Sequence, residues 1–445
     1  MLGVALLVVV GVAYLLGYRE GSHAPSPATT QAIATPPPPQ SVQVSSYTAT
    51  VAWTTPAVST AELQWGPAGS EPVLWQSVDT PAVRHTVELT GLASSTAYNV
   101  AIVSSSAGQT ARSELSFTTA PAPSQVQGSV GDGALLVNGA PFFPLIAWQQ
   151  CPVQWTPSLA AGINLFAAGS PCADPRSAAS ALEGRALVAG TDGLPGALGS
   201  FYPDEADARG LTAATLPALP AGLRFLTLTG HFASVAAPLP SGRAVYSGLV
   251  GAADVVGFDF YPLQELCRRD LLPADFDAQQ ELEALAPGKP TFQWIEARGM
   301  RCGSTPGVEV TPATIRTESW LAIAAGAHGL GYFPPDWNNG AVSVIHGIST
   351  RIRQLEPALL QPVLPVTLAA DTGVRATARE YNGALYVIAV NAGTTASDVR
   401  ITLPALGDRA LVALGRSTKL RAHGGVLSDR LGPLRVAVYV APPTH

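Results

Sequence analysis

Two short motifs place carboxyl side chains directly after apolar runs: Tyr202-Pro203-Asp204-Glu205 and Gln293-Trp294-Ile295-Glu296. Two carboxyl groups flanking one bond can divide the work of glycosidic hydrolysis, one giving a proton to the leaving oxygen and the other attacking or activating water. Glu205 fits the proton donor. Such a group must stay protonated near neutral pH, through burial or a neighbouring negative charge, and adjacent Asp204 supplies that charge or is itself the acid. Glu296 fits the nucleophile, which must stay ionised with help from hydrogen bonds or Arg298. Trp148, Trp155, Trp294 and Trp337 offer flat faces for a sugar ring, with packing the equal alternative for each. His231, Asp259, Asp336 and Asn338 are further candidates to contact sugar hydroxyls, His231 being as readily a structural histidine.

The elements that must hold these groups are legible as apolar runs alternating with Ala/Leu-rich stretches, the pattern of parallel strands joined by crossover helices. Strands are expected near 142–148, 163–168, 185–190, 198–202, 224–230, 254–261, 290–295 and 329–333, with helices at about 175–183, 211–218, 276–286, 311–327 and 350–361. Eight strands predict a (β/α)8 barrel, whose active sites form at the carboxyl ends of the strands. In this count Glu205 closes the fourth strand and Glu296 the seventh. The stretch Thr191 to Ala197 is shorter than a parallel crossover normally needs, so either that helix is missing or the third strand lies elsewhere.

The chain has 445 residues, enough for about three domains. Hydrophobic residues make up 47% and charged residues 13%, low beside a typical ~25%. The net charge is −6 and Lys289 and Lys419 are the only lysines, so there is no basic run to hold nucleic acid. Residues 1–17 are unbroken apolar sequence, expected to act as a membrane anchor or signal segment, and 18–40 form a proline-rich linker. Both place the remainder outside the cytoplasm. Cys151, Cys172, Cys267 and Cys302 fall in loops after the first, second, sixth and seventh strands. Neighbouring loops favour Cys151 with Cys172 and Cys267 with Cys302 among three possible pairings. No CxxC and no histidine at ligand spacing points to a metal, and no organic cofactor is expected.

Residues 41–120 read as about seven short alternating strands, a β-sandwich pattern. This segment resembles a fibronectin type III domain. Trp53 stands where that family has a buried tryptophan, and Leu92-Ala93-Ser94-Ser95-Thr96-Ala97-Tyr98-Asn99-Val100 matches its L-x-P-x-T-x-Y-x-V signature with Ser94 for the proline. Trp65 and Trp75 read chiefly as core residues. Residues 365–445 return to alternation and predict a small antiparallel β-sandwich.

The central part, 126–364, resembles glycoside hydrolase barrels of the clan with catalytic carboxylates on strands four and seven. The lead-in Val137-Asn138-Gly139-Ala140-Pro141-Phe142-Phe143-Pro144, the Tyr202-Pro203-Asp204-Glu205 motif and Phe258-Asp259-Phe260-Tyr261-Pro262 occur in the order such barrels show. The clan normally has Asn before the strand-four acid, where this chain has Asp204. The resemblance implies that Tyr261 contacts the nucleophile and that hydrolysis proceeds with retention, Glu205 as acid and then base. A glycan-binding or scaffolding surface protein with a catalytically silent barrel is the alternative. The G-x-S-x-G elbow, the phosphate loop and the dinucleotide fingerprint are all missing.

Overall fold

A computed structural model describes residues 41–444 apart from 168–171, 173–174, 191–195, 303–304, 334–336 and 418. The expected anchor and linker, residues 1–40, lie outside the described residues, as does Asp336. Among the described residues no helix is long and apolar enough to cross a membrane.

The centre is an eight-stranded parallel sheet: Leu145–Trp148, Leu165–Ala167, Leu187–Ala189, Gly199–Phe201, Leu223–Thr229, Val255–Asp259, Thr291–Glu296 and Gly329–Phe333. In chain order their neighbours run 3-2-1-8-7-6-5-4. The ring is closed between third and fourth strands by a parallel bridge, Gly190 to Ser200, with Phe201 N–H donating to the Gly190 carbonyl at 2.9 Å. The short third crossover therefore joins strands that meet directly, and Glu205 does follow the fourth strand.

Among the described residues six α-helices accompany the sheet: α1 (Pro152–Ala161), α2 (Pro175–Leu182), α3 (Val245–Ala252), α4 (Ala274–Leu285), α5 (Pro312–Ala325) and α6 (Asn339–Leu359). The helix expected at 211–218 is instead a run of turns. Thr212 and Thr215 bond to each other's hydroxyl and backbone groups there, and Pro217 and Pro220 cannot extend a helical ladder. Helices α1 and α3 had no expected counterpart, and α6 begins at Asn339, well before 350.

Glycines make room for the rings that fill the barrel. A Cβ on Gly257 would lie 2.2 Å from the Phe292 ring, and one on Gly331 would lie 2.2 Å from the Trp294 ring. Phe201, Phe225, Phe292 and Trp294 then pack edge-to-face or stacked in the interior. The amino end is covered by a small sheet, Gly128–Gly131, Ala134–Val137 and Ala140–Pro141. Its turn uses Asn138 and Gly139, both at positive φ (51° and 81°), the backbone a tight hairpin turn requires.

Ahead of the barrel is a five-stranded antiparallel sheet spanning Ser41–Val44 to Gln109–Thr118. Trp53, Trp65 and Trp75 are buried in it. Ala93 N–H donates to the Tyr98 hydroxyl at 2.8 Å, tying that strand to the preceding turn. This unit docks on the last part of the chain, where Tyr386 donates to the Val73 carbonyl and Asn382 to the Trp75 carbonyl, both at 2.6 Å. The last part holds a three-stranded and a five-stranded antiparallel sheet that share one core, Val399 and Leu427 from the first meeting Val387 and Tyr439 from the second.

Candidate active site

The carboxyl ends of the fourth and sixth strands carry an acidic cluster. After Phe201 the backbone continues to Tyr202, whose N–H donates to Phe225 O at 2.8 Å, and then turns through Pro203 to Arg209. That turn is pinned from beneath. The buried Asp207 carboxylate accepts from Thr229 N–H at 2.9 Å, from the Thr229 hydroxyl and from the Tyr246 hydroxyl at 3.0 Å. Asp204 and Glu205 are left half-buried at the mouth. Glu205 has φ of 49°, the left-handed region a non-glycine residue enters at a cost of about 1 kcal/mol or more and retains only where its surroundings impose it.

Asp259 ends the sixth strand, half-buried, and Tyr261 follows two residues later. The Tyr261 hydroxyl donates to Asp259 Oδ1 at 2.9 Å, and its ring stacks on Phe333 of the eighth strand with centroids 6.3 Å apart. The cluster's acids raise one another's proton affinity. Burial and then Asp204 hold Asp259 well above the ordinary carboxylate range, against the lowering effect of the Tyr261 hydrogen bond. Burial, then Asp204, Glu265 and Asp207, lift Glu205, which Arg209 partly offsets. Burial lifts Asp204 as well, again opposed by Arg209. The two influences expected on Glu205, burial and Asp204, are the two largest acting on it.

Glu296 is differently placed. It ends the seventh strand with no exposed surface, and its oxygens accept from the backbone N–H groups of Leu263 at 2.9 Å and Gln264 at 2.8 Å. Burial pushes it up to about 7, against the lowering effect of those amides and of a hydrogen bond with Glu318 on α5. That is opposite to the environment expected of an ionised nucleophile. Glu318 is itself raised strongly by burial and by Glu296. Asp275 on α4 completes this second, enclosed group of acids and accepts from Gln293 Nε2 at 3.0 Å.

The other candidates divide. Trp294 is buried, its indole N–H donating to Thr227 Oγ1 at 3.1 Å, so it fills the barrel rather than facing a ligand. Trp148, half-buried, lies edge-on to Trp294 and Phe201 at 5.5 and 5.6 Å and keeps an accessible part. Trp337 is turned into α1, its indole N–H donating to Ser158 Oγ at 2.8 Å and Gln150 Oε1 at 3.1 Å. Trp155 donates to the Gln150 carbonyl. His231 lies just past the fifth strand, where its Nδ1 meets the Ala237 carbonyl at 2.7 Å within its own loop. Asn338 caps α6 through Ala341 N–H. Disulfides join Cys151 to Cys172 and Cys267 to Cys302, the pairing favoured by loop adjacency. Among the described residues no group of three or more His, Cys, Asp or Glu is arranged to hold a metal.

Sequence reasoning did not single out Glu265, Asp207, Asp275 or Glu318. For Glu318 a signal existed: it is a lone carboxylate among the apolar residues of a helix that is buried almost throughout.

No family model matches the chain, and no curated protein matches it. Solved structures that it is similar to include a family 27 β-L-arabinopyranosidase from Geobacillus stearothermophilus (16% identity, 51% of this chain and 52% of that one, TM-score 0.35). Others are a family 30 endoxylanase from Clostridium papyrosolvens (12%, 72% and 100%, TM-score 0.42) and an Anoxybacillus α-amylase (8%, 68% and 98%, TM-score 0.39). The chain spans about half the length of the arabinopyranosidase.

Proposed function

We propose that the protein hydrolyses a glycosidic bond of a poly- or oligosaccharide at the carboxyl end of its barrel. The observation that carries this reading is the carboxyl cluster Asp204, Glu205 and Asp259, set with Tyr261 on the ends of the fourth and sixth strands. Acid and ionised partner are assigned by environment, because neighbouring titratable groups pushed to different pKa values take different roles. Asp259 carries the strongest upward push and donates the proton to the leaving oxygen. Glu205, also raised but less strongly than Asp259 and with Arg209 opposing the rise, is the partner that ionises first. The reaction proposed is a double displacement with retention: Glu205 attacks the anomeric carbon, and the ionised Asp259 then takes a proton from the water that releases the sugar. Asp204 helps hold the proton on Asp259, and the accessible part of Trp148 is the proposed sugar platform. Glu296, read from sequence as the nucleophile, has no exposed surface and both oxygens engaged, which favours the strand-six acid over it.

The flanking units are proposed to be a fibronectin type III-like module, supported by buried Trp53 and the Tyr98–Ala93 tie, and a small β-sandwich. Two disulfides support an extracytoplasmic location. The test is release of reducing ends from a panel of plant, bacterial and animal polysaccharides. Release that is lost in D259N and E205Q is expected. Binding without release by the wild-type chain would assign the protein to glycan recognition instead.

A further inference from the structure

The loop after the sixth strand is tied to the end of the seventh strand and to the loop that follows it. Glu296 accepts from two successive backbone amides of the loop after the sixth strand, Leu263 and Gln264, one on each oxygen. Gln264 in turn bonds on both ends of its side chain: Oε1 accepts from Met300 N–H and Nε2 donates to the Val308 carbonyl, each at 2.6 Å. Arg301 N–H donates to the Gln264 carbonyl at 3.1 Å, and the Cys267–Cys302 disulfide closes the same pair of loops. Tyr261, which bonds Asp259, lies two residues before Leu263.

A fully buried carboxylate with a second buried carboxyl in hydrogen-bond contact is stable only if the two share a proton, since two unscreened negative charges would repel at close range. Glu318 is that second carboxyl, itself almost without exposed surface. Other groups facing the pair include Asp275 from α4, Glu265 and Tyr261 from the strand-six loop and Tyr332 from the eighth strand.

We propose that Glu296 is a positioning residue that holds the strand-six loop, and with it Tyr261, against Asp259, and that Glu318 carries the proton that lets Glu296 remain buried. The last step to catalysis rests on the hydrolase reading; the clamp itself does not. Gln at 318 reproduces the role of the protonated acid, because its amide N–H donates to the Glu296 carboxylate. Gln at 296 turns an NH2 group toward a backbone N–H and loses one of the two bonds.

Amide hydrogen exchange of the full chain, read by mass spectrometry on peptides covering 260–266 and corrected for intrinsic rates, tests this between pH 6 and 9. E296Q is expected to exchange on the order of tenfold faster than wild type there. E318Q is expected to be as protected as wild type, and to keep that protection at the alkaline end where wild type loses it. Wild-type protection in E296Q, or E318Q as loose as E318L, or an identical pH dependence in wild type and E318Q, would each overturn the proposal. Should E296Q not fold, the E318Q and E318L pair decides alone. On a cleaved glycan, E296Q should lower kcat with little change in KM. A clamp found by exchange in a chain that cleaves nothing would refute the hydrolase reading and leave the clamp standing.

Discussion

The Tyr261 hydroxyl donates to Oδ1 of Asp259 at 2.9 Å, leaving Oδ2 of that carboxyl to carry the acidic proton. The bond favours the ionised form, so it restrains an acid that burial and Asp204 otherwise drive upward. Tyr261→Phe removes the restraint. The alkaline limb of the pH–rate profile should move to higher pH, and kcat should fall roughly tenfold through loss of a charge-assisted hydrogen bond. A profile measured on the cleaved glycan checks both, and an unmoved or lowered limb contradicts the assignment.

Stability should fall as pH rises above neutrality. Three carboxyls, buried Glu356 and Glu296 and half-buried Glu283, have folded pKa values raised from the ordinary 4.5: Glu356 to about 8, Glu283 to about 7 and Glu296 to about 7. The folded state holds those protons more tightly than the unfolded chain, so their contribution is complete below about pH 4.5 and is lost through pH 7 to 8. Half-buried His328, lowered from 6.5 to about 4, acts in the opposite sense but only below 6.5. Melting temperature measured from pH 6.5 to 8.5 should therefore decline. Glu356→Gln, which keeps an oxygen for the Phe143 N–H, should flatten the decline.

The barrel interior gives a third expectation. Adding a methyl group at Gly257 or Gly331 meets the Phe292 or Trp294 ring at 2.2 Å, with no free space to absorb it. Gly257→Ala and Gly331→Ala should each destabilise by about 1–3 kcal/mol in urea unfolding, the usual penalty of overpacking. Gly251→Ala, where a Cβ meets nothing within 4 Å, is the control and should be close to neutral.

The order of the eight strands was legible because fully buried parallel strands are written as continuous apolar runs, and runs such as FFPLIAW and DVVGFDFY admit little else. Helix α3 was hidden because VYSGLVGA contains two glycines and little polar periodicity. The 211–218 segment misled in the other direction, its Ala and Leu content outweighed by Thr212, Thr215 and Pro217. At the site, the end of a strand was readable but the surroundings of the side chain there were not. Glu205 and Glu296 look alike in sequence. Leu263 and Gln264, some thirty residues away, supply the amides that enclose Glu296. Asp259 was named for sugar contact alone, since nothing local announces that Asp204 lies near enough to raise it.

The disulfides should contribute unequally. Cys267–Cys302 spans 35 residues and Cys151–Cys172 spans 21, for which loop-closure entropy gives about 4 and about 3 kcal/mol. Unfolding of C267S/C302S and C151S/C172S variants should follow that order. Only the first pair should also loosen the strand-six loop, because it alone bridges the loops that Gln264 joins.

The central claim is that Asp259 delivers the proton to the leaving group. It is tested most directly by comparing D259N with wild type on the cleaved glycan and on an aryl glycoside of the same sugar with a strongly acidic phenol as leaving group. A lost proton donor slows departure of a sugar hydroxyl by roughly 10²–10⁴ but matters little to a phenolate that needs no proton. The account predicts near-normal cleavage of the aryl glycoside and near-complete loss on the glycan. Equal loss on both substrates, or full activity on the glycan, would contradict it.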